Sequence, residues 1–207
     1  MAGKTVLMVE GPDDEHVVKN VCGAHGLGRI DEVRPYGGKD SLLEGIEVRL
    51  KESEVEAVGI LLDADADLSA RWQSVRDRLI AAGFGSIPAA PPPEGLILEP
   101  PAGTLLPRVG VWLMPNNELP GILEDFLALL VPSGDALFER IKSCVEGIPK
   151  ELVRFSVERK PKALIHAWLA VQEEPGRPLG QAVTARYLNS ELPAAHAFVE
   201  WLRRLFF

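Results

Sequence analysis

The sequence predicts an α/β fold, a mainly parallel sheet with helices on both faces, plus a helical C-terminal extension. Two observations carry that reading. In the first third of the chain, short apolar runs ending in acid or glycine alternate with stretches of helical apolar spacing, the pattern of strands joined by crossover helices. In the last third the patterns are helical throughout, which suits a layer of helices docked on one core.

TVLMVE, residues 5–10, reads as the first strand. DDEHVVKNVCGAHGLG follows as a helix with Val17, Val18, Val21 and Cys22 on its apolar side and a glycine-rich stop. RIDEVRPYGG is a weak second strand entering a glycine turn. KDSLLEGIEVRLKES is a second helix with Leu42, Leu43, Ile46 and Leu50 on one side, and VEAVGILL a third strand. SARWQSVRDRLIAAGF gives a third helix with the stripe Trp72, Val75, Leu79 and Ile80. Nine of the seventeen prolines fall between residues 88 and 120, and because proline cannot donate to a ladder most of that stretch is predicted to be loop. GLILE and RVGVWLMP survive within it, either as an edge hairpin or as sheet strands joined by a long loop. Helices are then predicted in ILEDFLALLV, in SGDALFERIKSCVEGI, in PKALIHAWLAVQEE with Pro161 near its start, and in PAAHAFVEWLRRLFF, whose Phe198, Val199, Leu202, Leu205 and Phe206 recur on one side. The α/β domain is placed over residues 1–130 and the extension over 131–207, packed on the same core.

The chain has 207 residues, 46% of them hydrophobic and 25% charged, with a formal charge of −8, an ordinary globular composition. No apolar segment approaches the roughly 18–20 residues that span a bilayer, and the N-terminal apolar run is too short for a signal peptide. A cytoplasmic protein with no membrane partner is expected. Cys22 and Cys144 lie far apart with no CxxC or Cys/His cluster, so buried thiols are expected rather than a disulfide or a zinc site. His16, His25, His166 and His196 form no HExxH and are assigned to packing or the surface. No GxxxxGK[ST], GxGxxG or GxSxG occurs, which leaves ATPase and serine-hydrolase chemistry without support.

The net charge argues against a generic nucleic-acid coat, whose affinity comes from basic side chains displacing counterions. Yet residues 1–139 hold 11 Lys/Arg against 23 Asp/Glu, whereas residues 140–207 hold 11 against 7. A basic C-terminal part can face a polyanion while the acidic part binds cations. Scattered solvated charge explains the same counts equally well.

The most informative stretch is AVGILLDADADLSARW, residues 57–72, where an apolar strand ends in three alternating aspartates. Side chains two apart on an extended chain share a side, so Asp63 and Asp65 converge if the backbone stays extended. That arrangement is repulsive unless a hard cation relieves it, and Mg²⁺ characteristically takes one or two carboxylates plus waters and substrate phosphates. The bland account is that one aspartate caps the helix near Leu68 while the others are solvated. Glu10 ends the first strand as Asp63 ends the third, and neighbouring parallel strands lie about 5 Å apart. Asp13 and Asp14 suit the first helical turn.

VEG after a first strand and LLDADAD after a later one resemble the Toprim domain shared by bacterial primases, topoisomerases and OLD-family nucleases. The resemblance covers approximately residues 4–130. VEGPDDE and LEDFL look closest to OLD-type Toprim proteins and to a small uncharacterised bacterial Toprim-like family with a VWLMPNN…LEDFL stretch. It implies a Rossmann-like Toprim sheet, with Glu10 as general acid or base and Asp63 and Asp65 as the DxD pair holding Mg²⁺. Asp14 falls four residues after Glu10, where OLD-type enzymes carry an acid that is commonly Glu, so its reach is shorter. Matched to the same pattern, Glu124 rather than Asp125 is the metal ligand, and Lys160 or Lys162 is the lysine that steadies phosphate charge.

The resemblance thus implies a nuclease or related phosphoryl-transfer protein acting on DNA or RNA, with one or two Mg²⁺ (or Mn²⁺) ions held by Glu10, Asp14, Asp63, Asp65 and Glu124. A non-catalytic metal- and nucleic-acid-binding regulatory module that needs a protein partner or a second copy of the chain is the alternative. Primase-like nucleotidyl transfer is weaker, since no zinc-binding domain is evident. A topoisomerase is disfavoured: Tyr36 and Tyr187 are the only tyrosines, and no separate domain carries either.

Overall fold

The computed structural model describes residues 3–207. Five strands, β1 (Lys4–Val9), β2 (Glu32–Pro35), β3 (Val55–Asp63), β4 (Leu96–Leu98) and β5 (Arg108–Met114), form one sheet in the order β2-β1-β3-β5-β4. The first three and β5 run parallel, and β4 lies antiparallel on the edge beside β5. The crossovers α1 (Pro12–Ala24), α2 (Lys39–Leu50) and α3 (Leu68–Ala81) follow the first three strands. They are succeeded by α4 (Leu123–Leu129), α5 (Ala136–Glu146), α6 (Lys160–Leu169), α7 (Leu179–Thr184) and α8 (Pro193–Phe206). The fold class is therefore the expected one. The proline-rich stretch resolves to an edge hairpin, with 99–107 joining β4 to β5.

Strand alternation divides the core into two layers. Leu7 and Val9 of β1 and Leu61 of β3 face a cluster built with α1, α4 and α6–α8. Val6, Met8, Ile60 and Leu62 face the opposite cluster, built with α2 and α3. Because β2 lies on one side of β1 and β3 on the other, the chain reverses its direction of travel across the sheet between β1 and β3. Such a reversal opens a crevice at the carboxyl ends of the strands, where open α/β sheets bind ligands. Glu10 and Asp63 stand at the two strand ends that border it.

The C-terminal helix belongs to the same core. Gly59 and Gly110 are register partners on β3 and β5, and they make a shallow floor for α8. A Cβ on Gly110 would stand 2.5 Å from Leu205 Cδ2, and one on Gly59 2.9 Å from Phe206 Cζ. Phe198 seats edge-on against Trp112 at 5.4 Å and Phe126 at 5.5 Å and stacks on Trp201 at 5.8 Å between ring centroids. Trp201 donates its indole N–H to the Leu96 carbonyl at 3.1 Å, tying the helix to the edge strand.

Two sequence expectations change and one element is added. Ile80 is 46% exposed, since Trp72, Val75 and Leu79 already complete the buried stripe of α3 and Ile80 lies one residue round the helix. Cys144 is exposed, because α5 turns only Phe138 and Ile141 toward the core. The helix Leu179–Thr184 has no counterpart in the sequence reading, being too short for a period to show. It packs on α1 where Gly180 lets the backbones meet, a Cβ there standing 2.7 Å from the His16 carbonyl. Among the described residues no helix is long and apolar enough to cross a membrane.

Replacing Phe198 with Ala removes the ring that joins α8 to the sheet and leaves a cavity, which costs about 3–5 kcal/mol. Urea unfolding followed by tryptophan fluorescence should show one transition, shifted to lower denaturant by that amount. A loss below about 1 kcal/mol, or separate melting of the C-terminal part, would contradict a shared core.

Candidate functional site

The site forms where β1, β3 and the turn into α4 end together. Glu10 follows directly on β1, and its Oε1 accepts the Asp63 N–H at 2.9 Å. Asp63 closes β3, and its Oδ1 accepts the Leu123 N–H at 2.9 Å, at the first residue of α4. Asp14, in the first turn of α1, reaches back to accept the Gly11 N–H at 2.9 Å. Each carboxylate thus fixes the backbone of a neighbouring segment with one oxygen. For Glu10 and Asp63 the other oxygen is in no hydrogen bond among the described residues.

Glu124 comes from the first turn of α4 and is only 3% exposed. Lys162, in the first turn of α6, places its Nζ 2.8 Å from Glu124 Oε1. These residues, with Gly37 and Gly38 of the turn into α2, line an open cleft of about 390 Å³. A carboxylate buried without a full cation partner is driven toward its protonated form. Burial, then the charges of Glu10 and Glu124, push Asp14 up from its ordinary 3.8 to about 7. Asp63 rises well above the usual range through burial and the charges of Asp14, Glu10 and Glu124. Burial also raises Glu10, against the lowering effect of its hydrogen bond to Asp63.

The structure sorts the candidates. Glu10, Asp14, Asp63, Glu124 and Lys162 come together. Asp65 is absent from the cleft lining: β3 ends at Asp63 and Asp65 turns into the left-handed region at φ 55°, where its N–H donates to the Gly121 carbonyl, while its charge still reaches Glu10 and Asp63. Its carboxylate is taken by Arg71 Nη2 at 2.6 Å and Lys39 Nζ at 3.1 Å. Lys160 pairs with Glu146 of α5 at 2.9 Å and is absent from the cleft lining. Asp67 is the helix cap, accepting the Ala70 N–H. Asp125 caps α4 by accepting the Ile122 N–H.

Arg71 and Lys39 are the residues that sequence reasoning missed. Arg71 also donates through Nε to the Asp63 carbonyl at 2.9 Å, so one guanidinium holds the whole Asp63–Asp65 turn. The signal was present: an arginine four residues after the capping Asp67 points back over the strand end that the helix follows.

Hard carboxylate oxygens crowded at a strand tip fit a divalent cation better than a transition metal that prefers sulfur or imidazole. Among the described residues no three His, Cys, Asp or Glu side chains stand close enough to enclose an ion as they are. Mg²⁺ does not demand that, since it keeps several waters and takes one or two carboxylates directly.

The raised Asp14 sets a pH dependence. Its folded value of about 7 exceeds the ordinary 3.8, so between those values the folded state holds more protons than the unfolded one. Its contribution to stability is full below about pH 4 and is lost as pH rises through about 7. In metal-free buffer, the difference in urea midpoint between wild type and Asp14→Asn should therefore move against the wild type from pH 5 to pH 8. A difference that stays constant across that range would contradict the raised value.

The chain matches the family described as "Protein of unknown function (DUF3226)" over residues 4–207. No curated protein and no solved structure matches it. The matched span takes in both the strand-tip acids and the C-terminal helices that supply Lys162 and close the core, and the chain belongs to that family.

Proposed function

We propose that this chain is a Mg²⁺-dependent phosphoryl-transfer protein that cleaves phosphodiester bonds in nucleic acid, built on a Toprim-like sheet of the OLD type. The observation that supports it most is the meeting of Glu10, Asp14, Asp63 and Glu124, from separate segments, with Lys162 at the switch point of a parallel sheet. In this reading Asp14, Asp63 and Glu124 hold the cation, one ion or two. When bound, a divalent ion supplies positive charge against phosphoryl oxygens and activates water.

The chain's own residues do the rest. Glu10, raised by burial, takes the proton as water adds to phosphorus; the bond to the leaving sugar oxygen breaks, and that oxygen is reprotonated from solvent. Lys162, already in the cleft through Glu124, shifts its ammonium charge toward the phosphate. Asp65, held by Arg71 and Lys39, positions the turn instead of binding the ion. A chain working on nucleic acid in this way belongs in the cytoplasm.

The neutralisation of Asp65 favours a second reading, a metal- and nucleic-acid-binding module without turnover, because it leaves fewer free carboxylates than a DxD pair would give. Incubation with Mg²⁺ or Mn²⁺ and single-stranded DNA, duplex DNA, supercoiled DNA or RNA separates the two. Cleavage that falls by roughly 10²-fold or more in both Glu10→Gln and Asp63→Asn supports the enzyme. Binding without cleavage by wild type supports the module. Cleavage that survives both substitutions overturns the assignment of the site.

A further inference from the structure

Residues 140–162 carry seven basic side chains against three acidic ones in a chain whose net charge is −8. Two of the seven are committed, Lys160 to Glu146 and Lys162 to Glu124. Arg140, Lys142, Lys150, Arg154 and Arg159 have no carboxylate within 4 Å among the described residues. This segment includes the C-terminal part of α5, two single 3₁₀ turns (Lys150–Leu152 and Val157–Arg159) and the start of α6. It buries no side chain fully before Ile165. It is surplus positive charge held on the outside of the fold.

The segment is also apolar where a merely solvated face would not be. Leu152 is 58% and Val157 84% exposed. Arg154, Phe155, Ser156 and Arg159 line a concavity of about 520 Å³, with Phe155 half-buried and both arginines exposed. Arg159 is the residue before α6 and Lys162 lies in that helix's first turn, so the concavity and the acidic cleft are both lined from the start of the same helix.

We infer that the 150–162 segment is a docking track for single-stranded nucleic acid, with Arg154 and Arg159 on its phosphates and Phe155, Leu152 and Val157 against its bases, leading the strand to Lys162 and the acidic cleft. That the track ends in phosphoryl transfer rests on the proposed function; the docking itself does not. A single strand is chosen because its base faces are open to apolar and aromatic groups, which a duplex hides. An anionic membrane is a poorer match, because the exposed apolar residues sit on two separate 3₁₀ turns and not along one face of an amphipathic helix. The local positive field offsets the repulsion that a chain of net negative charge exerts on a polyanion.

The test is the affinity of the full chain for a labelled single strand of about 15 nucleotides, long enough for a groove of this kind, measured in EDTA so that no cleavage intervenes. Charge reversal of both arginines (Arg154→Glu with Arg159→Glu), which are exposed and unpaired, should weaken binding at least ~10-fold. It should also flatten the salt dependence by about 1.4 in log–log slope, two phosphate contacts at roughly 0.7 each. Lys51→Glu, a charge reversal at the C-terminal end of α2 and outside both the track and the cleft, should bind as wild type does. Unchanged affinity in the double variant, equally tight binding of the matching duplex, or retention on phosphatidylserine vesicles without strand binding would each overturn the inference. Strand binding through the arginines with no cleavage in Mg²⁺ would fail the proposed function and leave the track standing. Cleavage with an unchanged KM in the double variant would do the reverse.

Discussion

The site depends on carboxylates that bind backbone. Glu10 accepts the N–H of Asp63, and Asp63 accepts the N–H of Leu123, so the exit of β1 is tied to the exit of β3 and that exit to the start of α4. A charge-assisted hydrogen bond of this kind is stronger than a neutral one. It also commits the acids to one place, since moving either side chain leaves a peptide N–H without its partner. The acids are therefore part of what aligns the strand tips, and their closeness follows from the fold's own hydrogen bonding.

That closeness carries a cost in repulsion and desolvation, visible in the raised proton affinities of Asp14 and Asp63. The molecule offsets it unevenly. Lys162 answers Glu124, and Arg71 with Lys39 answers Asp65, while among the described residues Glu10, Asp14 and Asp63 have only backbone donors. Structural ion pairs tend to be completed in the fold; the incompletely balanced group is the one that perturbed pKa values single out as a functional candidate.

The sheet order is not written in any local stretch, but the elements were. Strand and helix identities for residues 4–81 follow from apolar spacing, and the stripe of α8 from Phe198, Val199, Leu202 and Leu205. The short helix at 179–184 carries too few residues to show a period, and the exposure of Cys144 depends on which side of α5 meets α6. Glu10 and Asp63 were legible as acids that end apolar strands, whereas Asp14 and Glu124 were singled out only by what the Toprim resemblance implies, since acids in a first helical turn read locally as caps. The geometry of Asp65 was not legible because alternation holds only while a strand stays extended, and the left-handed turn at Asp65 is held by Arg71 and by pairing with Gly121, both contacts distant from the local pattern. The choice between Lys160 and Lys162 turned on helix rotation, which only the packing of α6 against α4 and α5 decides.

The central claim is that strand-tip acids share a divalent cation, and calorimetric titration of the full chain with MgCl₂ and MnCl₂ at neutral pH tests it most directly. The account predicts saturable uptake of one or two ions, abolished by Asp63→Asn and preserved by Asp67→Asn, since Asp67 only caps α3. Absence of saturable heat for either ion in wild type, or uptake unaffected by Asp63→Asn, would contradict it.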